Sequence, residues 1–221
     1  RKVIDSGVLG RIVQINVAAS GFSRRWDWQT LQELDGGNLL NTGPHPLDQV
    51  LRLLDSPVMP EVHCFMDRAN TYGNAEDHVL VVLRAPRRPL IHLEVSSCCA
   101  YPSFVYNVYG TRGGLKGNSS HLDWKYFYPS RSPKHKATRK PIATAEGLPA
   151  YCREKLKWTE RSWDVPPRKK DLFGSMAGKF YSMLYKTLTT GAPLVITPQH
   201  VRQQIAIIQA CQKQNPHIYK R

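Results

Sequence analysis

The chain has 221 residues, of which 31 are lysine or arginine and 17 are aspartate or glutamate, so its formal net charge at pH 7 is +14. A hydrophobic content of 41% and a charged content of 22% are typical of a globular protein and exclude a chain that is disordered throughout. No apolar run approaches the ~20 residues of a transmembrane helix and no secretory leader is recognisable, so we expect neither a membrane partner nor export.

The cysteines show neither an even count nor a C-x-x-C spacing, which argues against a disulfide framework and against a zinc site. They are Cys64, Cys98, Cys99, Cys152 and Cys211. We therefore expect reduced thiols, no bound metal and a cytoplasmic protein. Because the regular pattern is already under way at Arg1, we also expect the chain to be a piece of a longer polypeptide.

In chain order, the first predicted element is a strand over residues 10–20, where polarity alternates. Residues 21–37 show no period. Residues 39–54 contain a helix, because Leu47, Val50 and Leu54 recur at helical spacing. Strand-like runs then follow at about 60–68, 77–85, 90–99, 104–116 and 121–128.

The next segment, residues 125–170, concentrates the positive charge. It holds 13 lysines and arginines against four acidic residues, or +9 of the total of +14. Six prolines interrupt it, so we predict mostly loop, with one short helix near 147–158. The charge suits either an anionic ligand or polyanion, or simply a solvated insertion.

Two helices end the chain. Residues 171–190 are amphipathic, with Gly191 as the C-cap, and the last helix begins at Thr197 and Pro198. The apolar face of that last helix is formed by Val201, Ile205, Ile208 and Cys211.

Strands that follow one another through short turns, with the helices segregated, predict an α+β fold. We expect an open, predominantly antiparallel sheet with helices packed on one face. The uncovered face would carry mixed side chains such as Tyr106, Val108, His92 and Glu94, and it favours a homo-oligomer formed sheet on sheet.

Residues 35–48 are the most informative segment. Gly36 and Gly37 permit a close backbone approach, and the prolines around His45 indicate that a helix begins at about Gly43 or Pro44. His45 would then lie in the first turn, where an uncharged imidazole can accept a proton from a hydroxyl group. If the helix instead begins earlier, Asn41, His45, Asp48 and Arg52 form one polar stripe. A buried, hydrogen-bonded histidine remains the alternative reading.

Four segments together resemble one family, the glucose-fructose oxidoreductase / inositol dehydrogenase (Gfo/Idh/MocA) family. Residues 2–13 are similar to the junction that leads into its C-terminal domain, and residues 36–48 resemble its G-G-x-L-x-D-x-G-x-H-x-x-D signature. Residues 109–115 resemble its strand-ending G-T-x-G-x-L, and residues 190–198 resemble its G-x-P-x-x-x-T-P link to the last helix. The basic segment 125–170 matches no motif of the family.

The resemblance implies a two-domain oxidoreductase that uses NAD or NADP and acts on a sugar, a cyclitol or a related hydroxyl or carbonyl compound. Members carry an N-terminal Rossmann domain with a glycine-rich loop and an E-K-P lysine, and neither motif occurs here. The resemblance therefore implies that residues 1–221 are the substrate-binding and oligomerisation domain, with the glyceraldehyde-3-phosphate-dehydrogenase-like fold. The dinucleotide domain is expected upstream, and this chain alone is expected to be inactive.

The same resemblance implies roles for particular residues. His45 falls on the family's catalytic histidine, which relays the hydroxyl proton, and Asn41 falls where many members have aspartate. An asparagine can hydrogen-bond a substrate but cannot act as a carboxylate. Asp48 matches the last residue of the signature and is assigned to substrate binding or to positioning the helix or His45. Arg24, Trp26 and Trp28 precede the glycines, where members often contact substrate.

Two other functions compete with the dehydrogenase interpretation. A non-catalytic, dimerising metabolite-binding or scaffold protein of the same fold is suggested by Asn41. Binding of nucleic acid or another polyanion through residues 125–170 is the third hypothesis and ranks last, because a basic loop beside a sugar site equally suits an anionic small-molecule substrate.

Overall fold

The computed structural model describes residues 1–166 and 171–219, apart from the side chain of Leu172. Its helices are α1 (Lys2–Asp5), α2 (Asn38–Asn41), α3 (Pro44–Leu54), α4 (Leu172–Thr190) and α5 (Pro198–Gln214). Its strands are β1 (Ile12–Ser20), β2 (Glu61–Asp67), β3 (His78–Arg84), β4 (Leu90–Ser96), β5 (Tyr106–Gly110), β6 (Gly113–Gly117), β7 (His121–Tyr126) and β8 (Thr159–Asp164).

All eight described strands belong to one open sheet, in the order β2-β3-β4-β1-β5-β6-β7-β8. Only β1 and β4 are parallel neighbours, and every other pair is antiparallel. The first strand therefore lies in the middle of the sheet, between β4 and β5. This confirms the predicted open, predominantly antiparallel sheet of an α+β fold.

One face of the sheet carries the hydrophobic core. Alternate residues of β1, β3 and β4 point to that face and are buried: Ile15, Val17, Val79, Val81, Leu83, Ile91, Leu93 and Val95. Leu47, Val50 and Leu54 of α3 complete the core where α3 packs on β1 and β4, and α5 packs on β2. The helices of the core thus lie on one face, as predicted.

The opposite face of the sheet is open and carries mixed side chains. His92 and Glu94 lie there as expected, and Glu94 accepts a hydrogen bond from the Ser20 hydroxyl at 2.6 Å. The placement of Tyr106 and Val108 on this face was wrong. Val108 is buried in the core, and the Tyr106 hydroxyl donates to Gln49 of α3 at 2.6 Å, because β5 pairs with β1 in the register that puts Val108 beside Ile15.

Two predicted elements differ from the structure, whereas the helix within residues 39–54 begins at Pro44, as one of the two predicted geometries required, and the separate short helix α2 precedes it. The single strand at 104–116 is two strands, β5 and β6, joined by a tight turn. Residues 147–158 are not helical.

The sequence analysis did not predict β8, which lies inside the basic segment and pairs with β7. It forms one edge of the sheet, and nearly all its side chains are exposed on both faces, so its sequence lacks the alternation that marks a half-buried strand. The remaining described part of 125–166 is mostly exposed and irregular. The basic residues at 168–170 lie outside the described residues.

Helices α4 and α5 have the predicted ends. Thr197 caps α5 by accepting from the His200 N–H at 3.3 Å, and Gly191 ends α4 with a φ of +69°. The predicted apolar face of α5 was only partly right. Ile207, Ile208, Cys211 and Gln212 are its buried residues, whereas Val201 and Ile205 are about half exposed.

The apolar side chains of α4 are mostly exposed in this chain. Phe173 is 81% exposed and Leu188 is 76% exposed, while Met183 and Leu184 are half-buried beside the segment that begins α5. Within the described residues, no helix combines the length and the apolar content that a membrane crossing requires.

A buried carboxyl group explains why a glycine, Gly37, directly precedes α2. Glu76, which is 2% exposed, accepts from the Leu39 N–H at 2.8 Å and from the Tyr219 hydroxyl. Its backbone carbonyl accepts from the Asn38 N–H at 3.0 Å. Gly37 has a φ of +111° and a Cβ there would overlap the Glu76 carboxylate, so the position needs glycine both for its backbone and for the space. Glu76 thereby fixes the first turn of α2.

We predict that Gly37→Ala destabilises the fold more than Gly7→Ala. Both glycines have positive φ, but a Cβ at Gly7 meets no atom within 4 Å. Gly7→Ala should cost about 1–2 kcal/mol through backbone strain alone, and Gly37→Ala more than about 3 kcal/mol because the Glu76 carboxylate must also move. Urea denaturation measures both, and equal losses would contradict the role given to Glu76.

Burial raises the pKa of Glu76 above its ordinary value, which makes the stability contribution of this group depend on pH. A raised folded-state pKa means that the fold favours the protonated form. The contribution is therefore complete below the unfolded pKa of about 4.3 and is lost as the pH rises through the folded value.

We accordingly predict that Glu76→Gln, which stays neutral, gains stability relative to the unmodified protein as the pH rises from 5 to 8. Urea denaturation at both values gives the difference between the two proteins. A difference that does not change with pH would show that Glu76 has the same pKa in the folded and unfolded chain.

Candidate functional site

His45 lies in the first turn of α3, directly after Pro44, as one of the two predicted geometries required. Its side chain is exposed, and within the described residues it makes no side-chain hydrogen bond. Its backbone N–H donates to the Thr42 carbonyl at 3.2 Å. The imidazole is therefore not the buried, hydrogen-bonded group of the alternative reading, and both ring nitrogens are accessible.

Asn41, the last residue of α2, is half-buried and belongs to a network of polar side chains. Its carboxamide forms a reciprocal pair with that of Gln29: Gln29 Nε2 donates to Asn41 Oδ1 at 3.1 Å, and Asn41 Nδ2 donates to Gln29 Oε1 at 3.2 Å. Arg25 also donates to Gln29 Oε1. Asn41 is thus held from outside its own helix.

The Arg25 end of this network is itself fixed. Its guanidinium donates to both carboxylate oxygens of Asp27, at 2.9 and 2.8 Å. Hydrogen bonding from Arg25 holds the pKa of the Asp27 carboxyl below its ordinary value, so this pair stays charged at neutral pH. Asp27 also accepts from the Gln29 N–H at 3.0 Å and so begins the short turn at Trp28–Thr30.

Arg24 and Trp26 meet at the ring of Tyr72. The Arg24 guanidinium lies 4.9 Å from the centre of that ring, and Trp26 meets it edge-on at 6.4 Å. Trp26 is 80% exposed and Trp28 is 59% exposed. Large aromatic side chains held in solvent by their neighbours form a surface that can bind another molecule.

Asp48 lies apart from the polar network around Asn41. One of its carboxylate oxygens accepts from Arg52 Nε at 3.0 Å and the other from Gln204 Nε2 of α5 at 3.1 Å. Both contacts are on the side where α3 meets α5, and no hydrogen bond joins Asp48 to His45 in the described part of the chain. Asp48 therefore helps to fix α3 against α5.

The structure brings Asn41 together with a residue that the sequence analysis did not single out, Gln29, and Arg24 and Trp26 together with another, Tyr72. No periodicity or motif points to either pairing. Gln29 lies 12 residues before Asn41, and the segment that carries it is held by backbone hydrogen bonds such as that from the Tyr72 N–H to the Arg25 carbonyl at 3.0 Å.

The site holds groups suited to a polar organic ligand. An exposed imidazole, a carboxamide and two indoles can exchange a proton, hydrogen-bond hydroxyl groups and stack on a ring. Over the described residues, no group of three or more histidine, cysteine, aspartate or glutamate side chains has the geometry to bind a metal ion.

Comparison with known proteins agrees with this fold. The sequence matches the model of the GFO/IDH/MocA C-terminal domain over residues 1–116, about half of the chain. No curated protein matches significantly.

Solved structures match over nearly the whole chain at low sequence identity. An oxidoreductase from Bacillus cereus matches with a TM-score of 0.65 and 17% identity, covering 95% of this chain and 67% of its own. An NAD-binding protein from Listeria innocua matches with a TM-score of 0.69 and 18% identity, covering 96% of this chain and 59% of its own. The WlbA dehydrogenase from Bordetella pertussis, in complex with NADH and UDP-GlcNAcA, matches with a TM-score of 0.62 and 17% identity, covering 96% and 57%.

At such identities these neighbours establish the fold, and this chain spans less than 60% of the length of the last two. The match of the family model over residues 1–116, together with the open eight-stranded sheet, identifies the family. The chain belongs to the GFO/IDH/MocA C-terminal domain family, whose members are oxidoreductases.

Proposed function

We propose that this chain is the substrate-binding half of an NAD(P)-dependent oxidoreductase that acts on a sugar, a cyclitol or a related hydroxyl or carbonyl compound. The single observation that carries the proposal is the exposed, unpartnered imidazole of His45 in the first turn of α3, four residues after the end of α2. In a chain of this family, such an imidazole is free to act as the acid or base toward a hydroxyl group.

Each of the described side chains has a separate role in the proposed reaction. His45 takes the proton from a substrate hydroxyl during oxidation and returns it during reduction. Asn41 directs that hydroxyl through its carboxamide. Trp26 and Trp28 offer aromatic faces to an apolar ring face, and Arg24 attracts an anionic substituent. Asp48 acts indirectly by fixing α3 against α5.

The nicotinamide cofactor, NAD or NADP, belongs in this proposal to the whole protein and not to this chain. A dinucleotide site needs a glycine-rich turn between a strand and a helix. The glycine-rich segment here, residues 110–114, instead joins the antiparallel strands β5 and β6. The described residues thus do not fit the cofactor, and we propose that a dinucleotide-binding domain upstream holds it, that this chain alone is inactive, and that the protein works in the cytoplasm.

A non-catalytic metabolite-binding protein is the second candidate function. It is favoured by the amide at position 41, because the Gln29 pairing uses one donor and one acceptor of Asn41, and His45 pairs with no carboxylate within the described residues. Measuring the binding of NAD and of NADP to the longer polypeptide separates the two candidate functions. An oxidoreductase binds at least one of the two cofactors, and a non-catalytic metabolite-binding protein binds neither.

We predict that His45→Ala in the polypeptide that includes the dinucleotide domain lowers kcat by about 10²- to 10⁴-fold, the usual contribution of a general acid–base group. His135→Ala is the matched control, since His135 is also exposed and lies 3.9 Å from a Glu154 oxygen in the segment after β7. Steady-state turnover of a substrate found by screening sugars and cyclitols measures the effect. Equal turnover of the two variants would remove His45 from the chemistry.

We also propose that the chain self-associates through the open face of its sheet. In the middle of β2 and β3 this face has a small apolar area, with Phe65 beside Leu80 in the register of the two strands and Phe65 65% exposed, whereas the ends of both strands carry polar side chains there. On β4 and β1 it becomes polar, with Glu94 beside Leu80. An apolar area rimmed by polar groups is suited to a second copy of the same surface.

We predict that Leu80→Lys converts the oligomer to monomer, because it buries a charge at the centre of that face, while the adjacent Glu94 stabilises the new lysine in the monomer. Phe173→Lys on α4 is the control for a substitution at another exposed apolar residue. Sedimentation velocity measures both. An assembly that resists Leu80→Lys and dissociates with Phe173→Lys would assign the interface to α4 instead.

A further inference from the structure

The direction of the Asn41 carboxamide is determined by a chain of hydrogen bonds that begins at a residue with only donors. A guanidinium cannot accept a hydrogen bond, so the Gln29 atom that faces Arg25 must be the oxygen, Oε1. Gln29 Nε2 must then face Asn41 Oδ1, and Asn41 Nδ2 must face Gln29 Oε1. Arg25 cannot turn away without leaving the Asp27 carboxylate that it contacts with two nitrogens.

This arrangement leaves two defined groups on Asn41. A carboxamide has two N–H donors and an oxygen with two lone pairs, and the Gln29 pair uses one donor and one lone pair. One N–H and one lone pair remain, in fixed positions. A hydroxyl group can therefore donate only at the free lone pair of Asn41 Oδ1 and accept only from the free N–H of Nδ2.

We infer that Gln29, held by Arg25, is the positioning residue that sets the direction of the Asn41 carboxamide, and that it makes an amide the residue that fits at position 41. The functional part of this inference rests on the role proposed for Asn41 in directing the substrate hydroxyl. The structural part stands on the hydrogen bonds alone.

A carboxylate at position 41 conflicts with this pair. In Asn41→Asp, one oxygen keeps the hydrogen bond from Gln29 Nε2, but the other replaces Nδ2 and faces Gln29 Oε1, so two acceptors meet. Rotating the Gln29 amide does not help, since it would turn the Nε2 donors toward Arg25, which also has only donors. The conflict is relieved when the new carboxyl group keeps its proton and donates it to Gln29 Oε1.

The first measurement is made on the chain itself by NMR of the side-chain amides. Gln29→Met keeps the length of the side chain and removes the pairing, so the Asn41 side-chain protons should exchange with water about two- to tenfold faster. Gln14→Met is the matched control, because Gln14 donates to Asn16 at 2.6 Å in a similar glutamine–asparagine contact on β1. Unchanged exchange in Gln29→Met, or an equal change in Gln14→Met, overturns the inference.

The second measurement is the titration of the new carboxyl group in Asn41→Asp, followed by carbon-13 NMR. Two charged groups are linked to this carboxyl group by hydrogen bonds. Arg25 is linked through Gln29, and Asp27 is linked through Arg25. We expect its pKa to be about one unit higher in Asn41→Asp than in the Asn41→Asp, Gln29→Ala double variant, where Oε1 no longer opposes it. If Gln29 has only a structural role, or if the pair reorients freely, the pKa of the new carboxyl group is the same in the two variants. Equal pKa values therefore overturn the inference.

Kinetics on the longer polypeptide separate this inference from the proposed function. If Gln29 acts through Asn41, the variant Gln29→Met, Asn41→Ala loses no more turnover than Asn41→Ala alone. Additive losses overturn the positioning role. An unmodified protein without any turnover refutes the proposed oxidoreductase, and the two NMR measurements then decide the structural inference by themselves.

Discussion

The candidate site depends on one buried carboxyl group, that of Glu76. Burying a carboxyl group is costly unless its oxygens are hydrogen-bonded. The Leu39 N–H and the Tyr219 hydroxyl supply these hydrogen bonds, one from the start of α2 and one from the end of the described chain. Because α2 has only four residues, it is too short to be stable by itself, so this tertiary contact is what holds Asn41 in place.

From that anchor the site is built outward by polar contacts between segments that are distant in the sequence. Glu76 fixes the beginning of α2, and Gln29 fixes the side chain at its end. The loop that carries Gln29 is bound in turn to the loop that carries Tyr72, where Arg24 and Trp26 gather. His45 differs from all of these, since its ring is free and only the first turn of α3 sets its place.

The parts of the chain that bind no other part of it are also informative. Three separate surfaces are exposed: the open face of the sheet, the apolar side chains of α4 and the aromatic side chains around Tyr72. The solved structures from Listeria innocua and Bordetella pertussis that match this fold are longer than this chain. A single domain of this size normally covers more of its large apolar side chains. Under the proposed function, a dinucleotide-binding domain and further copies of this chain would contact such surfaces.

The sequence by itself determined the class of fold and the caps of α4 and α5, and it reduced the start of α3 to two alternatives, one of which puts His45 in the first turn. These follow from local rules, because a proline, a capping threonine or a repeated apolar spacing acts over one or two turns. Only the tertiary structure decided that Val108 belongs to the core, that β8 exists at the edge, and that Gln29 and Glu76 hold α2. Strand register and hydrogen bonds across 12 to 143 residues depend on how the whole sheet assembles, and no short stretch of sequence encodes them.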